Sequence, residues 1–211
     1  MIKTKNYIRG KKKLAEYNGS YPWLTKKKLH SFWNDQLSQL AYIVWLFSKL
    51  KIKSLNDCYS KLNLNSLRRY GFGTHQNLTS PVKITQQIFN EKEIKPWCFK
   101  KNPQGLFYNK KIIKDYFLWL FKIKKIKTNE DIYKNINTKI LAKYSGRSLC
   151  DLPKNYYKTT NFRQIIIKTF PEKNLKEWLF NNIRRGFWNK KSNLILLSKF
   201  IAKKHNFRKL D

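Results

Sequence analysis

Bases are the residues of this sequence whose types and spacing could do chemistry. They stand in runs: Lys11, Lys12 and Lys13; Lys26, Lys27 and Lys28; Arg68 and Arg69; Lys100 and Lys101; Lys122, Lys124, Lys125 and Lys127; Arg184 and Arg185; Lys190 and Lys191; Lys203 and Lys204. Such runs suit a phosphate backbone, because each neutralised phosphate releases condensed counterions. Lys outnumbers Arg 38 to 8, which favours diffuse phosphate contact over bidentate reading of base edges. Tyr156, Tyr157 and Tyr70 lie beside Lys or Arg in segments that read as loops, and they are the candidates for stacking on unpaired bases.

The residues that catalysis would need are thinly spread. His30, His75 and His205 are isolated, and none has a Cys or carboxylate at metal-ligand spacing. Twelve carboxylates in 211 residues form no dense cluster for a two-metal site or an acid/base pair. Glu91 and Glu93 with Lys92 and Lys95 could suggest a nuclease centre, but such a run on a Lys-rich surface reads as a plain charge pair. Gly71-Phe72-Gly73 lacks the third glycine and the preceding strand of a dinucleotide loop, and reads as a turn. We therefore expect no catalytic residue, metal ligand, cofactor or small-molecule substrate. Cys58, Cys98 and Cys150 include no CxxC pair and are odd in number, so they read as reduced thiols, mostly buried.

Composition places these bases in a chain that can fold. Lys and Arg number 46 against 12 Asp and Glu, a net charge of +34, while hydrophobic residues make up 41% and aromatics 16%. Disordered basic tails are poor in aromatics, so the chain is not simply one of them. A length of 211 residues allows one or two domains with a sizeable core. Lys, Asn and Ile together supply 79 of the 211 residues, which points to AT-rich codons and makes part of the Lys excess mutational. Asp and Glu codons are also fairly AT-rich, so codon bias does not explain the scarcity of acids. The longest apolar stretch, Leu40 to Phe47, is too short to span a membrane. The start, Met1 to Lys13, is basic without an apolar core, so it reads as no secretory signal. Residues 1–16 read as a basic disordered arm.

The elements that must position the bases come from an internal period. Trp23, Trp33 and Trp45 are separated by ten and twelve residues; so are Trp97, Phe107 and Trp119, and again Trp178, Trp188 and Phe200. All 7 Trp of the chain occupy this frame. A shift of 74 brings Asp57 and Tyr59 onto Asp131 and Tyr133, and Tyr70 onto Tyr144; beyond that a shift of 81 brings Trp97-Cys98-Phe99 onto Trp178-Leu179-Phe180. The units are thus 17–96, 97–177 and a truncated 178–211.

Apolar residues at three- and four-residue spacings predict helices over 34–50, 110–126 and 191–204. Ser54 and Thr128 look like caps of a second helix, with Asp57 and Glu130-Asp131 in its first turn. A third helix is expected over 81–89 and 160–170, after loops over 68–80 and 144–161. The expected fold is all-α, about 2.5 tandem helical units of 74 to 81 residues with three helices each.

The words Gly186-Phe187-Trp188 and Phe170-Pro171-Glu172 before Trp178, over most of residues 17–211, resemble long tandem repeats of algal and protist proteins. There G-F-W, D-W-Y and P-E-x-x-W recur. The match departs at Ser31-Phe32-Trp33 and Leu106-Phe107-Tyr108. The resemblance implies a repeat architecture and carries no function.

Charge, length and AT-driven composition lead to one functional expectation: a non-enzymatic RNA-binding structural protein, a lineage-specific mitochondrial ribosomal protein of the organellar matrix. Its partners would be rRNA and neighbouring ribosomal proteins. The composition resembles that of mitochondrial ribosomal proteins in AT-rich lineages. Two alternatives stand beside it: an organellar or viral DNA-binding module of nucleoid or mobile-element type, and a repeat adaptor for an acidic protein partner.

Overall fold

The computed structural model describes residues 2–24, 33–70, 78, 80–101, 103, 105–150, 152, 161–181, 183 and 185–207. These residues form α-helices and short 3-10 turns, with no strand among them, so the all-α expectation holds. The chain divides into two compact units, Met1–Leu106 and Phe107–Asp211.

Unit 1 is built around α2 (Gln36–Lys49), whose residues 38 to 47 are all buried. The Asp35 carboxylate caps it by accepting from the Leu37 and Ser38 N–H groups. It closes with Lys51 in the left-handed region (φ 53) and the Ile52 N–H returning to the Phe47 carbonyl at 2.8 Å. This is a Schellman end built on Lys where Gly is usual.

The first residues correct an expectation. In place of a disordered arm, Lys5–Glu16 forms α1, capped by Thr4. Gly10 meets the α2 backbone: a Cβ there would lie 2.6 Å from the Leu40 carbonyl oxygen and 2.9 Å from Val44 Cγ2. Tyr7, Leu14 and Tyr17 join the same core, and the Asn6 amide donates to the Gln87 carbonyl at 2.7 Å. The run Lys11–Lys13 hid this face in the sequence, because Lys11 and Lys12 point to solvent on the other side.

Three shorter helices come next. They are α3 (Leu55–Lys61) capped by Ser54, α4 (Leu64–Arg69) capped by Asn63, and α5 (Pro81–Ile88) capped by Ser80 with Pro at its first position. Helix α4 takes up Arg68 and Arg69, where the glycines ahead suggested the opening of a loop.

Unit 2 has α6 (Lys110–Lys124), α7 (Asn129–Asn135), α8 (Thr138–Lys143), α9 (Phe162–Thr169) and α10 (Lys191–Lys204). Asn109, Thr128, Asn137 and Asn161 cap the first four. Helix α6 also ends on a left-handed Lys, Lys125, with the Ile126 N–H returning to the Phe121 carbonyl at 2.9 Å. The short helices α4 and α8 exceed the three helices expected per unit.

The tyrosines of the frame act as anchors. In unit 1 the Tyr59 hydroxyl accepts the Lys95 N–H at 2.9 Å, its carbonyl accepts the Lys100 N–H at 3.1 Å, and its ring meets Phe99 edge-on at 5.0 Å. In unit 2 the Tyr133 hydroxyl accepts the Lys176 N–H at 3.0 Å, its carbonyl accepts the Asn181 N–H at 3.3 Å, and its ring meets Phe180 at 5.0 Å. Tyr42 donates to the Tyr70 carbonyl at 3.4 Å, and Tyr116 to the Tyr144 carbonyl at 3.2 Å. Phe99 thus packs backwards onto α3, so the segment Trp97-Cys98-Phe99, expected to open a unit, lies inside unit 1. The compact boundary falls at Leu106/Phe107 and not at Trp97.

Gly10→Ala tests the docking of α1. Overpacking costs about 1–3 kcal/mol, and the helix-propensity gain of Ala over Gly returns about 1 kcal/mol. Because the contacts are largely with backbone, we expect a net loss, read as a lower urea midpoint; a higher midpoint would show that α1 does not pack there.

Acid unfolding tests the caps. Asp57 is held well below the usual carboxylate range, first by Lys61 and then by the Lys53 N–H, and Asp131 below it by the Lys127 and Thr128 N–H groups. A lowered folded value gives stability that is present above the unfolded carboxylate value of about 3.9 and lost as pH falls through the folded one. D57N/D131N should therefore show a shallower loss of urea midpoint below about pH 4 than the parent. Parallel curves for the two proteins would refute the assignment.

Candidate nucleic-acid interface

The described candidate bases are mostly on the surface. Lys11 and Lys12 lie exposed on the outer face of α1. Lys13 is half-buried and paired with Glu16 at 2.6 Å, which raises its pKa. Arg68 and Arg69 are exposed at the end of α4, beside an open recess of about 310 Å³ lined by Leu50, Asn63, Asn65, Ser66, Arg69 and Tyr70. Lys100, Lys101 and Arg185 are exposed. Lys122, Lys125 and Lys127 are exposed around the end of α6, with Lys124 half-buried among them. Lys190 and Lys191 open α10, and Lys203 and Lys204 end it, all exposed. Lys26, Lys27, Lys28, Tyr156, Tyr157 and Arg184 lie outside the described residues, as do His30, His75 and the Gly71–Gly73 turn.

Local helix physics accounts for much of this placement. Nine of the ten described α-helices, all but α5, carry Lys or Arg in their last turn. A cation there meets the negative end of the helix dipole and the unsatisfied carbonyls. Lys49, Lys134, Lys143 and Lys168 are exposed bases of this kind that the search for runs passed over. Their signal in the sequence is a lone base at the close of an apolar period. Two of them sit by aromatic rings, Lys49 5.9 Å from the Trp45 centroid and Lys143 5.9 Å from that of Tyr144.

The framed aromatics are structural. Trp23, Trp33, Trp45, Trp97 and Phe107 are buried, and Trp119, Trp178, Trp188 and Phe200 are half-buried. Trp23 stacks on Tyr21 at 5.1 Å and meets Tyr42 edge-on at 5.6 Å. Tyr70 is half-buried with its ring edge-on to Trp45 at 5.9 Å, and Tyr144 stands likewise to Trp119 at 6.1 Å. A ring so packed is a poor platform for a base. Among the described residues the more exposed aromatics are Tyr108 and Phe207.

The remaining reactive groups are held in structural roles. The Cys58 thiol is buried and pushed up to about 12 by desolvation, and burial also raises Cys98. Glu91 and Glu93 lie exposed on a 3-10 turn, where Glu91 accepts from the Gln86 amide at 3.3 Å. Glu177 accepts from Asn161 and Gln164 at the start of α9. The buried side of Arg163 is desolvated, which lowers its pKa, and its guanidinium lies 4.7 Å from the Phe162 centroid. Among the described residues no three of His, Cys, Asp and Glu gather as a metal cradle. No described helix is long and apolar enough to cross a membrane.

What the arrangement can do chemically is neutralise polyanions from exposed helix ends. No protein-family model, curated protein or solved structure matches the chain, so the functional reading rests on its own residues.

Proposed function

We propose that the chain is a non-enzymatic, RNA-binding structural protein, and within that class a mitochondrial ribosomal protein of an AT-rich lineage. One observation carries the reading: 12 carboxylates cannot neutralise 46 bases however they are paired. Much of the uncompensated charge among the described residues is exposed, on helix ends and on the turns between helices, where phosphates can reach it. The predominance of Lys over Arg fits backbone contact with a folded RNA held by shape. The AT-driven composition supports an organellar setting.

The architecture belongs to the same reading. We take the two units as versions of one helical repeat, with α10 opening a third. The paired anchors at Tyr59 and Tyr133, the paired Tyr42 and Tyr116 bonds and the left-handed lysines at matching helix ends support this. The buried repeat core would then be the scaffold and the helix ends the RNA-facing surface.

Sedimentation of the native protein from its own extract tests the partner. Co-migration with a ribosomal subunit, abolished by RNase, is the expected result; slow sedimentation unchanged by RNase would overturn it, and tighter binding to duplex DNA than to structured RNA would favour the DNA-binding alternative. Substitution tests the surface. Lys122→Ala with Lys127→Ala should weaken RNA binding and lower the slope of log K against log salt by about 1.4–1.8, at about 0.7–0.9 for each phosphate left without its lysine. An unchanged slope would remove this cluster from the interface.

A further inference from the structure

Helix α10 exposes an aliphatic surface that its counterparts bury. Leu194 is 49% exposed, Leu196 52% and Ile201 40%, with Ile195 also open and Leu197 half-buried. In α6 the positions 81 residues before Leu194, Leu197 and Ile201 are Ile113, Tyr116 and Leu120, each 0% exposed, whereas those before Ile195 and Leu196 are Lys114 and Asp115, exposed as they are. There the later residues of unit 2 close the stripe: Phe117 meets Phe170 beyond α9, and Tyr116 reaches the Tyr144 carbonyl and crowds Gly146. On its other side α10 is held by Phe200, which meets Trp178 at 5.9 Å, and by the Asn193 amide, which donates to the Phe187 carbonyl. An exposed patch of this kind on one element marks an interaction surface.

We propose that α10 is the docking face for a separate protein: a helix with an aliphatic stripe and an acidic rim. Two observations choose this occupant. Unit 1 shows the form of the cover, because there a helix, α1, lies on α2 through Gly10, Tyr7 and Leu14. Charge then chooses the rim. Lys190, Lys191, Lys199, Lys203 and Lys204 surround the stripe, and α10 carries no acid. A second copy of this helix would set these lysines against one another, and a phosphate backbone has no aliphatic face to offer Leu194 and Ile201. The inference uses the repeat reading to align α10 with α6, while the exposure of α10 stands without it.

The probe is a pair of synthetic peptides of identical composition. In one, leucines stand at i, i+3, i+4 and i+7 among glutamates; in the other the order is scrambled, so that no stripe forms. Both are titrated into the full-length protein by fluorescence anisotropy at moderate and at high salt. The striped peptide should bind at least about tenfold more tightly, the scale of burying one aliphatic side chain. That preference should persist at high salt and vanish in L194N/I201N, whose sites are exposed and whose fold circular dichroism would confirm. K199E/K203E should weaken the striped peptide at moderate salt and much less at high salt, because only the rim is altered. Equal binding of the two peptides would overturn the proposal, since charge alone would then explain it. So would self-association of the parent that L194N/I201N abolishes. RNA binding by L194N/I201N should equal that of the parent, so failure of this proposal and failure of the RNA reading are separately visible.

Discussion

A chain with 46 bases and 12 acids cannot be held together by ion pairs, and its architecture follows from that constraint. Its interior is neutral: tryptophans, tyrosines and phenylalanines in edge-on contact, closed by hydroxyl-to-backbone bonds. Its helix starts are also mostly neutral, with Thr4, Ser54, Asn63, Ser80, Asn109, Thr128, Asn137 and Asn161 as caps. The described acids with resolved partners are used locally, as Asp35, Asp57 and Asp131 are at helix starts and Glu177 is beneath α9. Twelve of the bases stand in the last turn of a described helix, where the dipole offsets part of their mutual repulsion, while Lys110, Lys111 and Lys191 stand at helix starts.

The tyrosine anchors turn a row of short helices into closed units. Helices of six to eight residues such as α3, α4, α7 and α8 are too short to persist alone. Tyr59 and Tyr133 each gather a returning stretch of backbone by two hydrogen bonds and one ring contact, and so fix α3 and α7 against segments more than 30 residues away. The tripeptide Trp178-Leu179-Phe180 works in both directions. Its Phe meets Tyr133 behind it, and its Trp meets Phe200 ahead. A residue pair with that double role joins neighbouring segments without any charge.

Much of the helical pattern was legible because it depends on spacing. The period of the apolar residues located α2, α6 and α10 to within a few residues, and Ser54 and Thr128 marked the starts of α3 and α7. Helix α1 was not legible, because Tyr7, Gly10 and Leu14 are few among lysines and Gly10 counts against a helix until its contact with Leu40 is known. Helices α4 and α8 each bury one residue, Leu67 and Leu141, too few to form a period. The compact division falls at Leu106/Phe107 and not at the recurring Trp97, because a recurring word shows where a pattern restarts, whereas packing depends on which way Phe99 turns. For the candidate interface the sequence named the residue types. Their arrangement as a surface depends on contacts between segments, which spacing does not encode.

The two surfaces left by this design differ in what they require. Lysines at helix ends stay hydrated and are neutralised by phosphate at any approach that brings charge near. Leu194 and Ile201 on α10 need a shape-matched apolar partner, since contact with water is the state they leave on binding. The same helix carries both, with lysines at its ends and leucines along its middle. A partner that satisfied one requirement alone would leave the other exposed.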